Sequence, residues 1–475
     1  MSDHIEKSKA YFEKLAPKRK KARGINAHYW NEITNYCEYF AHEDISILEI
    51  GCGAGELISS IRGKRKVGID FSPSMIEIAK ERFKNVDFKV MEAENIQLDE
   101  KFDLIILSNL IGYVDDIQEI FKQLHKVCHS KTKIIVTYYN YLWEPVLKFG
   151  ELIGIKTRTP LQNWLSLADI NNLLYAAGFD VYRNTKRMIF PFNVPLLSSF
   201  LNGFLAKLPF FRFFTMNMYT FAKPLSVLSE AEYSDKYSVS VVIPARNESG
   251  NIENAILRLP KLGNHTEIIF IEGNSTDDTW SKIQEIAKKY SGTHDIKIGQ
   301  QGGKGKADAV RKGFGMATGD ILMILDADLT VPPEDLPKFY DAIASGKGDF
   351  INGSRLVYSM EKDAMRFLNL LGNKFFSMAF TWLLEQKFKD TLCGTKVIFK
   401  EDYIRLVKNQ SYFGNFDPFG DYDLIFGAHK LNHKIIEIPI RYKERTYGST
   451  NISRFKHGVI LMRMCLFAAR KIKFI

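Results

Sequence analysis

Apolar positions along the chain form two series in which short strand-like runs alternate with segments of helical period. In the first, ISILEIG, KVGID, VDFKVM, FDLIILS and KTKIIVTYY read as strands, with SPSMIEIAKERF and DDIQEIFKQLHKV as amphipathic helices between them. The second begins at YSVSVVIPA and runs through HTEIIFIEG, DIKIG, GDILMILDAD and DFINGS. This alternation predicts an α/β chain of two domains, each built on a largely parallel sheet. The expected boundaries are residues 1–222 and 238–475, joined by a polar linker without apolar period at 223–237. FDVYRNTKRMIFP and FTMNMYTFAKP read as two further strands that flank an apolar insertion near 190–214. No charged side chain occurs from Met188 to Ala206, close to the about 20 residues of a spanning helix. Pro191, Pro195 and Pro209, with Asn193, Ser198, Ser199 and Asn202, argue instead for an interfacial or lid-like insertion. FFSMAFTWLL and GVILMRMCLFAARKIKF are amphipathic, and no segment reads as transmembrane.

A length of 475 residues that is 45% hydrophobic and 25% charged excludes both a single small module and wholesale disorder. The net charge of +10 is unevenly placed: residues 1–24 carry eight Lys/Arg against three Asp/Glu, and residues 441–475 carry nine against one. Such basic ends suit anionic headgroups or lipid-linked phosphates, so a peripheral membrane surface is an expected partner. Nucleic acid is not, because no patterned array of stacking aromatics accompanies the charge. Five scattered cysteines without a C-x-x-C pair, and an N-terminus without a secretory apolar core, point to the cytoplasm and the inner face of the cell membrane.

LEIGCGAGE ends a strand in Glu49 and then places Gly51, Gly53 and Gly55 at alternate positions opening a helix, a pattern that lets a nucleoside approach the backbone. The second strand ends in Asp70, where a carboxylate can accept bonds from ribose hydroxyls. MEAENI brings Glu92 and Ala93 to the position of a base edge, and FDLIILSN delivers Ser108 to the same rim. A nicotinamide dinucleotide site would want G-x-G-x-x-G, whereas the chain reads G-C-G-A-G-E. Over residues 1–222 these features resemble the class I S-adenosylmethionine-dependent methyltransferases. The resemblance implies a seven-stranded Rossmann-like sheet with its last strand antiparallel. It places Gly51, Gly53 and Gly55 beneath the methionine moiety, Asp70 on the ribose, and Glu92 with Ala93 around adenine. Tyr138, Tyr139, Asn140, Tyr141 and Glu144, after the fifth strand, are expected near the acceptor.

In the second series VSVVIPARNE leads a strand into a polar turn, and EIIFIEGNSTDDTW ends another in Glu272. GGKGKADAVRKGF offers Lys304, Lys306 and Arg311 to phosphates. GDILMILDADL then gives Asp326 and Asp328, which on an extended chain point the same way and suit Mg²⁺ or Mn²⁺ beside a diphosphate. This ordered set resembles the family 2 glycosyltransferases of GT-A fold, and within them the branch that acts on polyprenyl phosphates. By that resemblance Pro244, Ala245, Glu248 and Glu272 line the nucleoside pocket of a nucleotide sugar of UDP or GDP type, and Asp326 with Asp328 holds the metal. Asp421 is then the base or acceptor-orienting carboxylate, and Lys396, Arg441 and Arg445 face the acceptor, a polyprenyl phosphate or lipid-linked glycan. The reading is a bifunctional transferase at a membrane face. The alternative is a glycosyltransferase whose N-terminal domain only binds S-adenosylmethionine, as a sensor or docking module.

Overall fold

The computed structural model describes residues 3–19, 27–154, 156, 158–159, 162–225, 228–355, 367–391, 393–408, 420–440, 447 and 454–474. The chain divides into two compact units, Met1–Leu225 and Ser226–Lys473. In the first, β1 (Ser46–Ile50), β2 (Arg65–Asp70), β3 (Asp87–Val90), β4 (Phe102–Ser108), β5 (Cys128–Tyr139), β6 (Phe179–Arg187) and β7 (Asn217–Pro224) form one sheet in the order β3-β2-β1-β4-β5-β7-β6. β3 through β5 are parallel, whereas β7 is antiparallel to both β5 and β6. Strands covered on both faces need apolar residues at every position, and SILEI, RKVGID and FDLIILS supply them: Ile47, Leu48, Ile50, Val67, Ile69, Ile105, Ile106 and Leu107 are all buried.

The crossover helices start where the chain provides side-chain acceptors. Ser72 caps Pro73–Arg82 by accepting from the Met75 N–H, and Asp116 caps Ile117–Gln123 by accepting from the Glu119 N–H. Ahead of the sheet, helix Ala27–Phe40 is fixed by charge. Glu32 accepts from Arg187 Nε at 2.5 Å and from Tyr219 OH at 2.6 Å, and the buried Arg183 guanidinium lies 3.7 Å from the Phe221 ring centroid and 4.3 Å from that of Phe40.

In the second unit the sheet runs β10 (Asp295–Gln300), β9 (Thr266–Glu272), β8 (Val239–Ala245), β11 (Ile321–Ile324), β13 (Lys396–Phe399), β12 (Phe350–Ser354) and β14 (Ile435–Pro439). β13 is antiparallel to β11 and β12, and the other pairs are parallel. Val239, Val241, Ile243, Ile268, Phe270, Ile321 and Met323 form the core on one face. On the other, Gly313 of helix Lys306–Met316 packs so closely that a Cβ there would lie 2.3 Å from Val242 Cγ1.

β13 and β14 were not among the expected strands. The stretch expected to be linker carries structure at both ends, since β7 takes in Lys223 and Pro224 and Glu230–Tyr233 is a helical turn with a Ser229–Glu232 capping box. The apolar insertion folds as short turns, Ser199–Phe204, Leu205–Lys207 and Phe211–Phe214. Among the described residues no helix is long and apolar enough to cross a membrane. The five cysteines are buried free thiols.

Gly263 turns the chain into β9 at φ +57°, and a Cβ there would lie 2.0 Å from the Tyr237 carbonyl oxygen. Gly263→Ala therefore combines left-handed strain with a backbone clash. It is expected to destabilise the second unit by about 2 kcal/mol or more, seen as a lower urea midpoint for that unit with the first unchanged.

Candidate functional site

In the first unit the turn Gly51–Gly55 leaves β1 with all three glycines at positive φ, +73°, +52° and +80°. The conformation is secured by its neighbours. The Gly51 and Cys52 N–H groups donate to the Ile69 carbonyl, and the Gly53 N–H donates to Asp70 Oδ2 at 2.8 Å. Asp70 Oδ1 accepts from the Ser72 N–H at 2.9 Å, so one carboxylate shapes both the glycine turn and the next helix start. Burial raises the pKa of Asp70, and the N–H groups of Ser72 and Gly53 act in the opposite direction. Glu49, also buried, accepts from the Ile58 N–H at 3.1 Å inside helix Glu56–Ser60.

These groups border a cavity of about 760 Å³. Glu49, Gly51, Gly53, Asp70 and Ser108 line it; Gly55, Glu92 and Ala93 do not, Gly55 packing against Phe88 and Ala79 instead, Ala93 being buried and Glu92 exposed on the loop after β3. A Cβ on Gly53 would meet nothing within 4 Å, so the turn presents bare backbone to the open space. Asn109, at φ +54°, donates from Nδ2 to Tyr29 OH at 2.8 Å, and its buried Oδ1 has no partner among the described residues.

Much of the wall comes from elements that the motifs did not mark. Tyr11, Phe12 and Leu15 of helix Asp3–Arg19 and Tyr29 and Trp30 of the following helix close one side, and Phe12 packs edge-on against Phe71 and Tyr113. The helix is anchored by Glu13, which accepts from Ser72 Oγ at 2.6 Å. Of the five acceptor-side candidates only Tyr139 lines the cavity, stacked on Tyr29 at 5.5 Å. Tyr138 is buried and donates to the Asn163 carbonyl, Asn140 holds the Phe213 and Thr215 carbonyls, Tyr141 is exposed, and Glu144 pairs with Lys148. Burial, with neighbouring tyrosines, pushes the Tyr29 and Tyr113 hydroxyls well above the ordinary phenol range, so both stay protonated at neutral pH.

In the second unit Pro244 and Ala245 end β8 beside Ile271 and Glu272 of β9. Glu272 is buried, accepting from the Ser275 N–H at 2.5 Å and from Gln300 Nε2 at 3.1 Å. Glu248, also buried, accepts from Asn251 Nδ2 at 2.8 Å, and its N–H donates to Thr279 Oγ1. β11 stops at Ile324, and the Leu329 N–H donates to the Asp326 carbonyl at 3.1 Å. Asp326 and Asp328 therefore sit on a turn and not on the extended chain expected for them. Asp328 Oδ1 accepts from the Thr330 N–H and hydroxyl, at 3.1 and 2.8 Å.

Asp326 Oδ1 lies 2.5 Å from Lys306 Nζ. Burial opposes the charge on this carboxylate, and Lys306, followed by Lys396 and Arg355, outweighs that and holds its pKa low. Gly394 makes room for the pair: a Cβ there would lie 1.9 Å from Asp326 Oδ2. Lys396, expected at the acceptor, is buried and donates from Nζ to the Cys393 carbonyl at 2.5 Å. Lys304 is exposed, and Lys306 takes the position beside the carboxylate. Gly305, at φ +86°, lies between them at the start of helix Lys306–Met316. Asp421 opens helix Asp421–Lys430, and its side chain is outside the described set, as are Arg441 and Arg445 entirely.

Comparison with known proteins agrees with this division. Residues 41–172 match the model of a methyltransferase domain and residues 240–410 that of glycosyl transferase family 2. The chain carries a methyltransferase domain followed by a glycosyl transferase family 2 domain. It is similar to a dolichol-phosphate mannosyltransferase of Pyrococcus furiosus, at 32% identity over 45% of this chain and 59% of that protein. It is also similar to glycosyltransferase AglJ of Haloferax volcanii, at 28% identity over 47% of this chain and 69% of that protein. The chain thus spans little more than half the length of the Pyrococcus enzyme. Among solved structures, an S-adenosylmethionine-dependent methyltransferase from Thermotoga maritima aligns over 46% of this chain and 99% of its own, at 17% identity and a TM-score of 0.35.

Lys306→Met leaves the half-buried Asp326 without its nearest cation. Because Lys306 lowers the folded-state pKa, the pair stabilises the protein above the unfolded carboxyl pKa of about 4 and ceases to do so as the pH falls through the folded value. The substitution is therefore expected to lower the urea midpoint more at about pH 7 than at about pH 4, where the variant's Asp326, no longer held low by Lys306, can protonate and need no partner.

Proposed function

We propose that the chain is a bifunctional transferase: its first unit transfers methyl groups from S-adenosylmethionine, and its second transfers a sugar, with inversion and a divalent cation, from a nucleotide sugar to a polyprenyl phosphate or lipid-linked glycan at a membrane face. One observation carries the reading. In each unit the carboxylates stand at the edge where the parallel strands end, Glu49 and Asp70 in the first and Glu272 and Asp326 in the second, where open α/β sheets take ligands.

The first site fits S-adenosylmethionine. The Gly53 backbone faces open space, Asp70 lines the cavity with accepting capacity left on both oxygens, and Asn109 Oδ1 has no partner among the described residues, a bond that a ligand N–H would supply. Bound there, S-adenosylmethionine would supply an electrophilic methyl group on its sulfonium sulfur. The unit's own contribution is orientation and exclusion of water by Tyr11, Phe12, Tyr29, Trp30 and Tyr139. Tyr29 and Tyr113 remain protonated and act as hydrogen-bonding walls, not as bases.

In the second unit the donor set fits a hard cation. Asp326 and Asp328 offer carboxylate oxygens, no cluster of three potential ligand side chains is present among the described residues, and Mg²⁺ or Mn²⁺ commonly takes one or two carboxylates with substrate phosphates completing the shell. Such an ion supplies positive charge to the departing nucleoside diphosphate. Lys306 adds a second cation at the same edge, and a phosphate acceptor, ionised at neutral pH, needs no strong base.

The two activities are expected to separate. Asp328→Ala, or chelation of divalent cations, lowers sugar transfer from a nucleotide-sugar panel by about a hundredfold or more, with S-adenosylhomocysteine affinity unchanged in calorimetry. Asp70→Asn, which turns an N–H donor toward Gly53 or Ser72, weakens S-adenosylhomocysteine binding by about tenfold and spares sugar transfer. Loss of both functions from either substitution contradicts the assignment.

A further inference from the structure

In the proposed sugar transfer Asp326 must accept a divalent cation, yet it already holds a cation of its own. Its Oδ1 lies 2.5 Å from Lys306 Nζ. Its Oδ2 lies close to Gly394, where a Cβ would stand 1.9 Å from that oxygen and would also collide with Lys306 Nζ. The pair is thus packed on bare backbone, and any side chain at 394 would force it apart. A carboxylate oxygen binds Mg²⁺ at about 2.0–2.1 Å, closer than the ammonium now stands. A divalent ion and Lys306 on the same carboxylate would therefore repel each other strongly.

Lys306 differs in its attachment from the two other cations whose charges act on Asp326, Lys396 and Arg355. Lys396 Nζ donates to the Cys393 carbonyl, and Arg355 reaches both oxygens of Asp390 at 2.8 Å. Those two bonds leave Asp326 untouched. Lys306 instead bonds the carboxylate that the reaction needs, through a flexible four-carbon stem that lets an ammonium change partners without moving its helix. Asp328 poses no such conflict, since its Oδ1 is held by the Thr330 N–H and hydroxyl of its own loop.

The segment that leads to Lys306 starts beside the other carboxylate of the site. The Gln301 N–H donates to the Glu272 carbonyl at 2.9 Å, and Asn274 Nδ2, just past Glu272, donates to the Gly303 carbonyl at 3.1 Å. The Gly303 N–H donates to Asp308 Oδ2 at 2.7 Å, tying this segment to helix Lys306–Met316. Residues 301–306 therefore join the carboxylate assigned to the nucleoside to the one assigned to the metal. A diphosphate spanning the same two points would offer the Lys306 ammonium a second anion.

We infer that Lys306 is a positioning residue that holds Asp326 in the absence of nucleotide and passes to the diphosphate when the nucleotide binds, releasing the carboxylate for the metal. This rests on the metal-dependent sugar-transfer reading above and adds to it a coupling between the two ligands. Metal arriving alone must displace the ammonium, whereas metal arriving with nucleotide need not. By linkage, the metal then favours nucleotide binding by the same factor.

The test uses the full chain and follows Mn²⁺ binding by loss of the free-ion electron paramagnetic resonance signal, alone and with UDP or GDP, allowing for Mn²⁺ held by free nucleotide. Lys306→Met is expected to bind Mn²⁺ alone about tenfold more tightly than the unaltered chain, and the factor by which nucleotide tightens Mn²⁺ is expected to fall about as much. Lys306→Arg, which keeps the charge, and Lys312→Met, which removes one elsewhere on the same helix, are expected to retain the weaker affinity. No gain in Lys306→Met, or an equal gain in Lys312→Met, overturns the inference. A measurement on the unaltered chain covers the case in which Lys306→Met fails to fold. Acetylation of Lys306 by an N-hydroxysuccinimide ester, mapped by mass spectrometry, is expected to speed up on saturation with Mn²⁺ alone and to slow again when nucleotide joins it; a rate that Mn²⁺ leaves unaltered is equally adverse. Mn²⁺ bound to neither protein, with or without nucleotide, removes the metal-dependent reading together with the inference. Mn²⁺ bound equally by both leaves that reading standing and sinks the inference alone.

Discussion

A carboxylate removed from water at the edge of a sheet must be given hydrogen-bond donors, and the architecture of both units follows from meeting that demand. Asp70 takes the N–H groups of Gly53 and Ser72, Glu49 that of Ile58, Glu272 that of Ser275, and the half-buried Asp328 that of Thr330. In each case the donor lies on the loop or helix that leaves the strand end. The anion therefore fixes the backbone that a ligand would contact, and the ligand meets a loop already shaped. A carboxylate oxygen has more than one lone pair, so holding the loop does not exhaust its capacity to accept from a ligand. Asp326 is the exception, because its charge is matched by the Lys306 ammonium and not by backbone. Exchange of that cation for another costs less reorganisation than rebuilding a loop, which suits the proposed role, in which the site would admit a metal and release a diphosphate.

How much of this was legible in the sequence depends on whether the signal was local. The first five strands of each sheet are apolar runs bounded by turn residues, and Gly51, Asp70, Glu272, Asp326 and Asp328 stand at or just past such ends. β13 and β14 escaped notice because KVIF and IIEIP are short and their pairing partners are distant: Lys396 to Phe399 form the antiparallel partner of both β11 and β12, and β14 is added beside β12. The contribution of Tyr11 and Phe12 was hidden because the N-terminal segment announces itself by its lysines. Only Glu13, reaching Ser72 across the fold, shows why the helix lies over the glycine turn. Lys306 Nζ stands 2.5 Å from Asp326 Oδ1 while Lys304 is exposed, a difference that the run GGKGKAD does not display because both lysines flank the same glycine.

The extended geometry assumed for Asp326 and Asp328 failed for a related reason. A period-2 argument holds only while the strand lasts, and β11 ends at Ile324. From Leu325 the chain is still tied to Val242, but the Leu329 N–H then turns back to the Asp326 carbonyl, with Leu329 itself at φ +51°. Asp328 accordingly bonds its own loop at Thr330, whereas Asp326 reaches Lys306 on the neighbouring helix.

The two sites solve opposite problems of charge. The first would handle a cationic sulfonium that becomes neutral on transfer, and its wall is correspondingly aromatic and low in fixed positive charge: Lys156 is the one lysine or arginine among the described residues that line the cavity, and it is paired with Glu151. Rings with negative faces and Tyr hydroxyls that stay protonated favour the cation without competing for it. The second would handle a diphosphate whose negative charge grows as the sugar departs, and there the rim gathers Lys306, Lys396 and Arg355 around one carboxylate. Adding a cation to the first wall or removing one from the second would oppose the charge change of the step, so the fixed charges alone distinguish which unit suits which transfer.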